Sequence, residues 1–337
     1  MENVGLALVG AGNIAQNIHL PLLAKMPNVK LLALCDKNLS KAKLIAERYG
    51  IPHVCRSVEE LERFEGIRAV DICTSTDAHF DGAMACLEMG YDVLVEKPLA
   101  RTHAEALALV SASEKSGRKL MVGMNHRFRP DTALMKNYIE QGQLGSLYYV
   151  KCGWLKQRSS DAKWMAQAEK SGGGVLLDLG VVMIDLLLYI FNYKRVRSVS
   201  ASMFYHQTRS VEDVAIGTIN FEDGSVASVE TSWSLMRPDD LYYCNVYGRK
   251  GSAYVNPFKV IKQEGQGFST YTNENSTRSK MSQYSKSYEL ELKHFINAVQ
   301  DLVPVISTGW EAVERMKLVE AMYESAKEHR EVFLNHT

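Results

Sequence analysis

The hydrophobic positions of the first third fall into short unbroken runs, separated by stretches of helical period. Val4–Val9, Val29–Cys35, Ala69–Cys73, Asp92–Val95 and Lys119–Gly123 read as buried strands. Between them, about 14–25, 40–50, 77–89 and 102–117 carry helix patterns. Ser40 stands at an N-cap position, Gly50 and Gly90 at helix ends, and Thr102-His103-Ala104-Glu105 has the form of a capping box. Strands alternating with helices of this length predict a parallel, doubly wound α/β domain over residues 1–125.

The period changes after residue 126. Helical patterns at 131–141 and 174–191 flank a strand at 146–155, and strand-like runs follow at 196–206, 213–221, 224–234 and 241–248. The FEDGS and YGRKGS stretches read as tight turns between neighbouring strands. Consecutive strands on short turns predict an open-faced antiparallel sheet, so residues 126–337 are expected to form a second, α+β domain. The polar stretch 263–287 reads as an exposed loop, and helices are expected at 288–302 and 309–328.

Composition excludes several classes. Among 337 residues, 39 basic side chains balance 39 acidic ones, which removes the basic surplus expected of a nucleic-acid binder. With 46% hydrophobic and 23% charged residues, the chain is neither disordered nor fibrous. The six cysteines form no CxxC pair or zinc-type spacing, so a reduced, cytoplasmic protein without a metal centre is expected. No basic leader precedes the first strand, and no apolar stretch approaches the ~20 residues that span a bilayer.

Gly10-Ala11-Gly12-Asn13-Ile14-Ala15 fits G-x-G-x-x-G/A directly after the first strand. The first glycine permits the turn, the second admits a pyrophosphate, and Ala15 lets helix pack on strand. Asp36, ending the second strand, is placed to accept hydrogen bonds from the adenine-ribose hydroxyls, which favours NAD; the neighbouring Lys37 leaves NADP open.

Further segments carry a resemblance to the Gfo/Idh/MocA oxidoreductases, extending over nearly the whole chain. Glu96-Lys97-Pro98 resembles that family's EKP motif. Thr74-Ser75-Thr76-Asp77-Ala78-His79 resembles its T-P-N-x-x-H segment, with Ser75 for proline and Thr76 for asparagine. Gly123-Met124-Asn125-His126-Arg127-Phe128 is similar to its G-x-N-x-R-F hinge, 172–180 to the entry of its active-site helix, and 318–332 to its last helix. The resemblance implies a Rossmann domain followed by an open-sheet α+β domain, with the active site in the cleft between them and oligomer contacts on the sheet.

It further implies Gly10, Gly12, Asn13, Ile14, Asp36, Thr74, Thr76, His79, Glu96 and Lys97 as cofactor-binding residues. Lys97 and Asp178 are implied as catalytic. Lys97, Asn125, Arg127, Asp178 and Val182 are implied at a sugar or polyol substrate. Asp178, Val182 and Asp185 are spaced for one helix face. Val182 stands where the family usually has a proton-shuttling histidine, and an aliphatic group moves no proton. Lys97 acting with Asp178 or water, another residue such as His126 or a tyrosine, and loss of the chemistry all stay open. The implied activity is hydride transfer between a nicotinamide and a hydroxyl or carbonyl carbon. Its alternatives are a non-catalytic NAD- and sugar-binding regulator and a redox-neutral glycosidase or epimerase. The bland readings are capping or packing for His79, a carboxylate anchor for Arg127, and packing for Trp154 and Trp164.

Overall fold

A computed structural model describes residues 3–157, 163–236, 238–272 and 280–334. The chain forms two compact units, Met1–Asn125 with Tyr288–Glu314, and His126–Ser287 with Arg315–Thr337. The segment Tyr288–Glu314 therefore leaves the second domain, to which the sequence pattern assigned it. Its local pattern carries no sign of the long-range packing that decides this.

In the first unit β1 (Val4–Val9), β2 (Val29–Cys35), β3 (His53–Cys55), β4 (Ala69–Ile72), β5 (Asp92–Glu96) and β6 (Leu120–Gly123) form one sheet in the order 3-2-1-4-5-6. Every pairing within it is parallel. β1, β4, β5 and β6 are buried at every residue, as continuous apolar runs with helices on both faces require. After β1 the backbone makes a π turn over Ala15–His19 and continues into α1 (Leu20–Leu23). α2 (Leu39–Tyr49) is capped by Asn38, whose side chain accepts from the Lys41 amide, and not by Ser40; Gly50 closes it in the left-handed conformation. α3 covers His79–Glu88 and α4 His103–Ser116, and Thr102 accepts from the Glu105 amide as expected.

The second unit holds α5 (Pro130–Glu140), β7 (Leu147–Leu155), α6 (Ala168–Ser171), a π turn over Leu176–Gly180 and α7 (Val181–Ile190). β8 (Val196–Phe204), β9 (Val214–Phe221), β10 (Val226–Ser232), β11 (Leu241–Gly248), β12 (Gly251–Val255), β13 (Lys259–Glu264) and β14 (Gly267–Thr272) follow. α8 (Lys280–Val299), α9 (Gly309–Glu328) and β15 (Val332–Phe333) end the described chain. The nine-stranded sheet has the order 14-13-12-11-7-10-9-8-15, and β7 with β10 is its one parallel pair among the described residues.

Two expectations change. The polar stretch 263–287 is not a loop: β14 pairs with β13 through its backbone, and α8 starts at Lys280, while 273–279 lie outside the described residues. The run Ala168–Ile190 is also long and apolar enough, by length and composition, to cross a membrane. It is 94% buried over its most apolar window, which makes it the core helix of the unit.

Candidate functional site

The first unit gathers its chemistry at the carboxyl ends of the parallel strands, where such sheets bind ligands. Gly10 has φ +93°, and a Cβ there would meet the Cys73 carbonyl oxygen at 2.8 Å, so only glycine fits the turn. Gly12 differs. A Cβ on it would meet nothing closer than 3.8 Å, so its bareness leaves the loop open to an incoming group. Asn13 is exposed and Ile14 half-buried, at the start of the helical segment.

Asp36 closes this loop from β2. Its Oδ2 accepts the Ala11 amide at 2.7 Å, and its Oδ1 accepts the Asn38 amide at 2.8 Å. Partial burial opposes its charge, but those two amides and the Lys41 ammonium hold the carboxyl below the usual carboxylate range. The cation beside it is Lys41, 3.0 Å away and one helical turn into α2; sequence adjacency had pointed to Lys37. The Thr74 hydroxyl oxygen is buried without a hydrogen-bond partner next to Gly10. An open glycine, a fixed carboxylate and an orphaned hydroxyl fit the phosphates and ribose of a dinucleotide.

His79 does not face this loop as a free ligand. Its Nδ1 lies 2.7 Å from the Pro98 carbonyl oxygen and its Nε2 3.1 Å from that of Thr74, so the ring ties the 74–79 turn to the turn after β5. Burial holds its pKa below the usual value, and a neutral ring donates through the shorter contact. Thr76 is buried in the short 3₁₀ turn Thr76–Ala78, and Asn125 is buried at the end of the unit's first segment. Glu96 ends β5 and Lys97 follows it directly, and the Glu96 carboxylate accepts the Lys97 amide at 3.1 Å.

In the second unit, the glycine-rich entry to α7 is explained by crowding. The Glu212 carboxylate accepts the amides of Gly174 and Leu176 and the Tyr323 hydroxyl. Burial nevertheless pushes Glu212 above its usual pKa. A Cβ on Gly174 would sit 2.0 Å from the Glu212 carbonyl oxygen. Gly174→Ala should therefore lower stability by about 1–3 kcal/mol in urea unfolding, and an unchanged midpoint would show that this crossing yields freely.

Asp178 lies in the π turn and accepts Trp233 Nε1–H at 3.1 Å. Val182 is 2% exposed in α7. Asp185 does not share the duty of Asp178. Arg127 grips it bidentately at 2.8 and 2.6 Å, Arg315 reaches it at 2.5 Å, and Tyr193 donates to the same group. The Arg127 guanidinium is thereby engaged as a carboxylate anchor, the alternative to its substrate reading. His126 is buried against the rings of Trp154 and Tyr242, an aromatic packing site.

A parallel sheet with a glycine turn clamped by an acid at the next strand end, in a chain with a second, open-sheet unit, defines a two-domain dinucleotide-binding protein. Residues 4–124 match the oxidoreductase family model described as an NAD-binding Rossmann fold, and residues 136–334 match its C-terminal alpha/beta domain. The chain belongs to the Gfo/Idh/MocA oxidoreductase family. It is 28% identical to D-glucoside 3-dehydrogenase of Escherichia coli K12, over 96% of this chain and 95% of that protein. It is 26% identical to the NAD-dependent scyllo-inositol 2-dehydrogenase of Bacillus subtilis 168, over 94% and 92%. A structure of levoglucosan dehydrogenase with NADH and L-sorbose superposes with a TM-score of 0.89 at 23% identity, covering 100% of both chains.

Proposed function

We propose that this chain is an NAD-dependent dehydrogenase that moves hydride between the nicotinamide and a hydroxyl-bearing carbon of a sugar or cyclitol. The observation that carries this reading is the open glycine loop clamped by Asp36 at the same sheet edge that ends in Lys97. Among its relatives, D-glucoside 3-dehydrogenase, scyllo-inositol 2-dehydrogenase and levoglucosan dehydrogenase are named for compounds of that class.

Bound at the loop, the nicotinamide would supply the hydride acceptor. Gly10, Gly12, Asn13 and Ile14 would cradle the pyrophosphate at the start of the helical segment. Asp36 would accept from the ribose hydroxyls through lone pairs its amide contacts leave over, and Thr74 and Thr76 would line the same end. Lys97 would take the proton from the alcohol as hydride leaves. Asp178 and Asn125 would bind substrate, and Val182 would shape the site without moving a proton. Six free, buried cysteines support a reducing, cytoplasmic setting. The sheet leaves Ile216 of β9 47% exposed between its cross-strand partners Ser202 and Glu230, and this apolar exposure supports a homo-oligomer.

The direct test supplies NAD with a panel of glycosides, free aldoses and inositols and follows NADH formation. NADH release on any of them supports the reading. NAD and sugar binding by calorimetry with no turnover would favour the regulator, which the aliphatic Val182 recommends. Turnover without net NADH would favour the redox-neutral enzyme. For the cofactor itself, Asp36→Ala should weaken NAD binding about tenfold and narrow its advantage over NADP, where Lys41 awaits a 2′-phosphate. Tighter NADP binding by the unmodified protein would overturn the NAD preference.

A further inference from the structure

The first unit encloses a cluster of ionisable side chains that no step above employs. His19, 1% exposed, stands at the end of the π turn after the glycine loop. Its Nδ1 lies 2.7 Å from Asp71 Oδ2, and its Nε2 lies 3.0 Å from Glu96 Oε1. A ring facing carboxylates through both nitrogens donates from both, so it is an imidazolium. Burial opposes that charge, but the field and hydrogen bond of Asp71 hold His19 well above its usual pKa. His19, Asp71 and Cys73 are also close enough together to suggest a metal site. An imidazolium has no lone pair to offer one.

Cys73 Sγ lies 3.4 Å from His19 Nδ1 and 3.5 Å from Asp71 Oδ1, and burial pushes this thiol up, so it is neutral. From α8, the Tyr288 ring packs 5.8 Å from the His19 ring. Glu291, three residues on, is fully buried, and neither carboxylate oxygen closes a hydrogen bond. Burial first, and then the Glu96 charge, push Glu291 well above the usual range against the pull of His19, so Glu291 is neutral too. Two carboxylates and one imidazolium remain, and Glu96 Oε2 receives the Lys97 amide at 3.1 Å.

We propose that His19 is a positioning residue for Lys97: through Glu96 it fixes the main chain on which the lysine stands, and its charge balances one of the two carboxylates behind that lysine. The proposal rests on the reading of Lys97 as the proton-handling group. Its sign is definite. Removing the cation leaves Asp71 and Glu96 uncompensated, which favours lysinium, so Lys97 must lose its proton at higher pH. Removing the Glu96 charge has the opposite effect.

The test is NMR on the full chain, carrying ε-carbon-labelled lysine and ring-nitrogen-labelled histidine, with signals assigned through Lys97→Arg and His19→Gln. Both ring nitrogens of His19 should stay protonated well above the pH at which a free imidazole loses its proton. The Lys97 titration midpoint should rise by about one pH unit in His19→Gln and fall by about one in Glu96→Gln, the scale of a unit charge several ångströms away. The rising limb of kcat/KM against pH should move the same way in each variant. A wild-type ring with one bare nitrogen, or a midpoint that neither variant moves, would overturn the proposal. If His19→Gln fails to fold, the wild-type ring and Glu96→Gln decide. None of the NMR readouts needs turnover, so a failed dehydrogenase assay would count against the proposed function alone.

Discussion

Lys97→Ala should lose about 10²–10⁴-fold in dehydrogenase turnover, the usual share of a positioned acid–base group, while NAD affinity changes little. The lysine follows β5 directly, and its amide is bound to Glu96, so shortening the side chain leaves the local backbone anchored. The loop that would hold the pyrophosphate is built separately, from Gly10, Gly12 and the Asp36 clamp. Turnover and binding should therefore separate cleanly, with kcat falling and the calorimetric Kd preserved. Methylamine, which restores a small amine, should recover part of the loss. Near-normal turnover by Lys97→Ala on a confirmed substrate would place the proton route elsewhere. In that event Asp178→Asn would be the informative comparison, since Val182 has no proton to exchange.

A stability loss of about 3–5 kcal/mol is expected for Asp185→Ala, because the change strands charge in the interior. Asp185, Arg127 and Arg315 all have side chains 1% exposed, and the single carboxylate serves both guanidiniums. Without it two cations lie among apolar groups, with Tyr193 as a weak remaining acceptor. Urea unfolding should show the loss as a lower midpoint. Removing all three charges together, in Arg127→Met, Asp185→Leu and Arg315→Met, should restore much of it, since replacing a whole buried ion cluster is often near neutral. A loss under about 1 kcal/mol for Asp185→Ala would mean that water reaches the guanidiniums.

The central strands of the first unit were legible to within a residue or so, because strands buried on both faces are unbroken apolar runs. β3 was not: His53–Cys55 is three residues long and carries no period. β14 was hidden for the opposite reason. As an outer strand it is exposed along nearly its whole length, so polar residues satisfy it as well as apolar ones. Asn38 and Ser40 are equally good caps in sequence, and the backbone chose the first.

At the site, the glycine loop, Asp36 and Lys97 were readable because each occupies a fixed offset from a strand end. The partners of Arg127 and His79 were not, since Asp185 and Pro98 lie 58 and 19 residues away. His19 and Glu291 left no local trace at all. A carboxylate inside an apolar strand, such as Asp71 in β4, was the one available hint that the core conceals a charged partner.

Each unit places a π turn at the start of its key helical segment, over Ala15–His19 and Leu176–Gly180. Each wide turn acts as a phase setter, because one residue more or less in a regular helix rotates everything downstream by roughly 100°. Deleting one residue between Ala15 and His19 would leave composition, charge and hydrophobicity almost untouched, yet swing the imidazolium away from Asp71 and Glu96. The length of these two turns, counted in residues, is thus as much a part of the chemistry as the side chains they aim.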